Sequence, residues 1–86
     1  MRVYMQAKPL ADEASRYVQL ILEQDLLGGW TFYRESGVPG GRVSLRKQVF
    51  TAQDDALAAF EQARDTQLKR GFQVMFAKGM EPPHGV

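Results

Sequence analysis

Residues 28–50, GGWTFYRESGVPGGRVSLRKQVF, set two alternating segments around a glycine-rich turn. In WTFYRE, Trp30 and Phe32 point one way while Thr31, Tyr33 and Glu35 point the other, the period of two that a half-buried strand requires. SGVPGG cannot continue that strand, because Pro39 has no donor and three glycines weaken any ladder. Beyond it, RVSLRKQVF sends Val43, Leu45 and Val49 to one side and Arg42, Ser44, Arg46 and Gln48 to the other. Two such segments joined by a Gly/Pro turn read as a β-hairpin, with a register that six turn residues leave open. The expectation is that Trp30, Phe32, Val43, Leu45 and Val49 face a core, with the arginines on the reverse side in water. Lys47 interrupts the apolar side, which an edge position or a bulge would accommodate.

Working outward, RYVQLILE (16–23) is rich in β-branched and aromatic residues and reads as a largely buried strand, with Val18, Leu20 and Leu22 sharing one face. RVYMQAK (2–8) alternates more loosely and suggests an edge strand, followed by a connection at Pro9 and ADEAS. After the hairpin, TAQDDALAAFEQARDTQLKRG reads as a helix. Thr51 is its expected N-cap, Asp54 and Asp55 lie in the first turn, Lys69 and Arg70 in the last, and Gly71 stops it. Ala56, Leu57, Phe60 and Ala63 fall on one stripe, and Glu61, Asp65 and Lys69 on the opposite, solvated side. FQVMFAK (72–78) is a last strand with Phe72, Val74 and Phe76 expected on one face. GMEPPHGV (79–86) is expected to be a flexible tail.

These elements predict an α+β domain over residues 1–78: an antiparallel β-sheet of four to five strands with one α-helix packed across one face. Eighty-six residues leave no room for a second core. The chain has no cysteine, which excludes disulfides and thiolate metal sites and points to a reducing cytoplasm. No apolar run is long enough for a membrane span or signal peptide, so no membrane partner is expected. A nucleophile–base pair, a metal cluster and a phosphate-binding glycine loop are all missing, and the one histidine, His84, sits in the Pro-flanked tail. The residues thus predict no enzyme, no cofactor and no metal.

From Tyr17 to Phe72 the order of features resembles the WGR domain, a module of poly(ADP-ribose) polymerases and of short bacterial proteins. The likeness rests on LILEQDLLGGWTFYRE, the turn SGVPGG, the strand RVSLRKQVF, the helix DDALAAFEQARDTQLKRG and the ending LKRGF. It implies a sheet with a helix across it and a DNA-binding role. The three positions that name the family are Ser36, Gly37 and Val38 here, so only the glycine matches and the family's tryptophan and arginine contacts are not carried over.

Two binding readings follow. Net charge is only +1, so a nucleic-acid argument depends on where the charges lie. Residues 30–50 hold four basic groups (Arg34, Arg42, Arg46 and Lys47) against one acid, Glu35. The nucleic-acid surface is expected to comprise Tyr33, Arg34, Arg42, Ser44, Arg46 and Lys47, extended by Lys69 and Arg70. The alternative is a protein-interaction adaptor, or a homodimer formed through an exposed strand edge, with aromatic anchors beside the glycines.

Overall fold

The computed structural model describes residues 1–7 and 15–79. Five strands and one helix follow in the order β1 (Arg2–Ala7), β2 (Arg16–Gln24), β3 (Trp30–Gly37), β4 (Val43–Phe50), α1 (Gln53–Lys69) and β5 (Gln73–Lys78). The strands form one antiparallel sheet in the order β4-β3-β2-β1-β5. The connection through Pro9 and the tail with His84 lie outside the described residues, apart from Ser15 and Gly79 at their ends.

The helix lies across β2, β3 and β4. Beneath it, Val3 and Met5 of β1, Val18, Leu20 and Leu22 of β2 and Phe32 of β3 join Ala56 and Phe60 in one buried cluster. The Phe32 and Phe60 rings meet edge to face at 5.9 Å, the arrangement their quadrupoles favour. Ala56 lets the helix approach the sheet closely, and Trp30, Phe50, Leu57, Ala59 and Ala63 pack around the cluster half-buried. The inward faces expected for β2, for Trp30 and Phe32, and for the helix are therefore the observed ones.

The helix ends as its sequence predicts. Gly71 has φ 95°, its N–H donates to Leu68 O, and the Phe72 N–H reaches back to Gln67 O at 3.0 Å. This pair of bonds satisfies carbonyls that would otherwise be orphaned. The start differs. Ala52, not Thr51, is the N-cap, and no side chain caps it. The Ala56 N–H bonds to Ala52 O at 3.2 Å, which puts Thr51 one residue too early to serve. Asp54 and Asp55 still occupy the first turn, where the helix dipole favours them.

Three further expectations are corrected. β1 is not an edge strand, because β5 returns to pair with its free side; the sheet edges are β4 and β5. Val74 and Phe76 do not share a face. A register shift between Tyr4 and Met5 sets Val74 opposite Met5 and Phe76 opposite Tyr4, whose side chains lie on opposite faces of the sheet.

The third correction reorganises the hairpin. Directly opposed residues of an antiparallel pair lie on the same face, and β3 pairs with β4 as Trp30↔Phe50, Phe32↔Gln48, Arg34↔Arg46 and Ser36↔Ser44. The helix side of β4 therefore carries Ser44, Arg46, Gln48 and Phe50. Val43, Leu45 and Val49 lie on the other face with Tyr33 and Lys47, and all three are exposed. The turn sets this phase. It closes with Val38 N–H donating to Arg42 O and Gly41 N–H to Val38 O. A Cβ at Gly37 would run into the Arg42 carbonyl oxygen, so this glycine has a local reason to be there.

Candidate functional site

The hairpin splits the expected surface between two faces. Arg34, Ser44 and Arg46 stand on the helix side, whereas Tyr33 and Lys47 occupy ladder positions on the open side. Arg42 is exposed just before β4, and Lys69 and Arg70 are exposed at the end of α1. Tyr33 is therefore not brought together with Arg34 and Arg46.

On the helix side, α1 leaves β4 uncovered along part of its length, and a groove of about 780 Å³ opens between them. Its floor is the ladder Phe32, Phe50, Gln48, Arg34 and Arg46; its wall is Ala59, Gln62, Ala63, Thr66 and Gln67 of α1, and Lys47 adds to the rim. A smaller hollow of about 260 Å³ continues along the same ladder between Arg34, Arg46, Ser36 and Ser44. Arg34 and Arg46 line both.

The electrostatics of this groove are one-sided. Among the described residues three basic ones line it and no acid does. Arg34 and Arg46 are direct cross-strand partners, and like charges so placed, with Cβ atoms about 5 Å apart, destabilise a sheet. Among the described residues the one ion pair is Arg64 with Asp65, so neither guanidinium has a carboxylate partner there. Glu35, the acid closest in sequence, is turned to the other face. Its Oε2 accepts a 2.6 Å hydrogen bond from the Tyr17 hydroxyl. The grouping of residues 30–50 as four bases against one acid thus understates the polarity: the acid has been removed to the far side of the sheet.

The open face is arranged differently. Tyr17 stacks on Tyr4 at 5.7 Å. The hydrogen bond to Glu35, then burial and the Glu35 charge, raise the Tyr17 phenol above its ordinary value. The raised value favours the neutral phenol in the folded state. Its contribution to stability is complete below the ordinary tyrosine range near pH 10 and is lost as pH rises through the raised value. In a tyrosinate absorbance titration, Tyr17 is expected to give a phase above the ordinary tyrosine range. Glu35→Gln should pull that late phase down; a titration unchanged by the substitution would show that the carboxylate is not the cause.

Farther along the open side, Val43, Leu45 and Val49 are exposed on edge strand β4, and Leu26 and Leu27 are fully exposed at the β2–β3 turn. That turn is held rigid by Asp25, whose Oδ1 accepts 2.8 Å bonds from the N–H groups of Leu27 and Gly29.

Sequence reasoning missed the wall of the groove. Gln67 continues the stripe Ala56, Phe60, Ala63 at helical spacing and is buried, while Leu68 beside it is exposed. A polar residue in register with an apolar stripe was the available signal. Gln48, Phe50 and Ser36 were missed because they depend on the hairpin register. Among the described residues no group of three or more His, Cys, Asp or Glu side chains is placed to hold a metal ion, and no helix is long and apolar enough to cross a membrane. No protein family, characterised protein or solved structure matches the chain.

Proposed function

We propose that this protein is a non-enzymatic nucleic-acid-binding module, with DNA the first ligand to test, and that it takes the phosphate backbone into the groove between α1 and the β3–β4 hairpin. The observation that carries this reading is the facing pair Arg34 and Arg46 in a groove that no acid among the described residues lines. Guanidinium groups bind phosphate oxygens in a forked geometry. Gln48, Gln62, Thr66 and the two serines of the ladder add neutral donors, the usual company of phosphate contacts. Phe50, half-buried at one end of the groove, offers an aromatic surface for a base. Lys69 and Arg70, at the end of the helix that forms the wall, extend the positive field. The resemblance to WGR domains supports the same reading through its DNA-binding members.

The test is a titration of fluorescent single-stranded DNA, duplex DNA and RNA at two salt concentrations. The two guanidinium groups on the groove side predict a slope of log affinity against log salt of roughly −1.5 to −2. No affinity at low salt removes the reading.

One observation favours a second reading, a homodimer or protein adaptor. Leu45 and Val49 are each 64% exposed on a strand whose outer edge has no partner among the described residues, the kind of edge that invites pairing unless it is blunted. Arg46 and Lys47 at its middle oppose self-pairing by charge. Sedimentation decides between them: a monomer at high concentration rules out self-association, and a dimer dispersed by Leu45→Lys supports it.

A further inference from the structure

Gln67 is 2% exposed, and its carboxamide Nε2 has no hydrogen-bond partner among the described residues. Native folds rarely leave a buried donor unsatisfied, and a group that is so left calls for a specific explanation. Gln67 lines the groove whose floor holds Arg34 and Arg46. Three sets of N–H donors without an acceptor among the described residues thus border one hollow: two guanidinium groups and one amide. The terminal amide torsion is soft, so the N–H can turn towards a ligand oxygen without disturbing the helix.

This donor set selects its ligand. A chloride offers no directional acceptors to a planar fork. A carboxylate offers two oxygens in one plane, which a single arginine can occupy alone. Two opposed forks and a third donor from the helix wall need oxygens pointing in at least three directions, as in a tetrahedral oxyanion. The Ser36 and Ser44 hydroxyls beside the arginines suit the same shape. We infer that Arg34, Arg46 and Gln67 form a discrete binding site for one phosphate group, carried either by a nucleic-acid backbone or by a phosphate monoester such as a mononucleotide. The inference deepens the groove reading above but is narrower, because it names one subsite and one buried amide. Phosphate there separates two like charges and satisfies the orphan donor, so binding and folding favour each other.

The experiment is an NMR titration of the isotopically labelled protein with inorganic phosphate, against chloride at matched ionic strength. The signals followed are the Gln67 side-chain amide and the Arg34 and Arg46 Nε–H groups. Saturable shifts at these groups with phosphate and not with chloride are expected. Gln67→Met keeps the volume and removes the donor, and should weaken phosphate binding by roughly tenfold; Arg46→Ala, at an exposed position, should weaken it at least as much and provides the test even if the Gln67 variant folds poorly. A nucleoside monophosphate should compete where the free nucleoside does not. Shifts that never saturate, or that chloride reproduces, overturn the site, as does unchanged affinity in both variants. If phosphate and the monophosphate saturate while oligonucleotides of DNA and RNA do not bind, the subsite stands and the nucleic-acid reading falls. If oligonucleotides bind equally well to wild type and to both variants, the subsite falls and the nucleic-acid reading survives on other basic residues.

Discussion

Phe60→Ala is expected to destabilise the protein by about 3–5 kcal/mol, the cost of deleting a fully buried aromatic side chain. Phe60 has no exposed surface, and it is the largest side chain that α1 places in the core cluster with Phe32 and the β2 residues. The edge-to-face pair itself accounts for about 0.5–1.5 kcal/mol of the loss, and the cavity and lost burial for the rest. The helix cannot compensate from within. No side chain caps its first turn, and most of a protein helix's stability comes from packing its apolar face rather than from its own propensity. A chain of 86 residues has a total stability of only about 4–13 kcal/mol, so the variant should lose about a quarter of it or more. Urea unfolding followed by circular dichroism measures the effect. A cost below about 1 kcal/mol would show that the helix is not seated on the sheet through this residue.

Arg34→Ala/Arg46→Ala should weaken nucleic-acid binding by roughly a hundredfold or more, since each hydrogen-bonded contact with a charged group is worth about 1.5–3 kcal/mol. The salt slope should flatten by about two units, one for each phosphate contact removed. Stability should hold or rise, because the substitutions remove two like charges placed directly opposite each other. The loss of binding could then not be blamed on unfolding. Tyr33→Ala supplies the contrast. Its side chain lies on the other face, opposite Lys47, and the substitution should leave affinity nearly unchanged. If Tyr33→Ala weakens binding as much as the arginine pair does, the open face is the interface and the groove is not.

The contrast between Tyr33 and Arg46 also marks where the chain's local pattern stopped being informative. Both stood on one expected surface, because Trp30 and Phe32 look apolar on one phase of β3, and Val43, Leu45 and Val49 look apolar on one phase of β4. Each strand was legible alone. The error was to join the two apolar phases. Which residues of the two strands share a face is set by the register that the turn imposes, and here Phe32 meets Gln48. Hydrophobicity lost to backbone geometry. The exposed Val43, Leu45 and Val49 are the cost of that outcome, and the acid-free groove is its product.

By itself the sequence determined the α+β class, the inward phase of β2, the buried stripe of α1 and the helix stop at Gly71. All of these depend on contacts within a few residues, where side-chain period and backbone preference suffice. Tertiary structure alone decided that β1 lies inside the sheet, that Arg46 joins Arg34 on the helix side, and that Gln67 closes the groove behind them. Those outcomes depend on pairing register and on where α1 crosses the sheet. Both are fixed by contacts between distant parts of the chain, which no local period encodes.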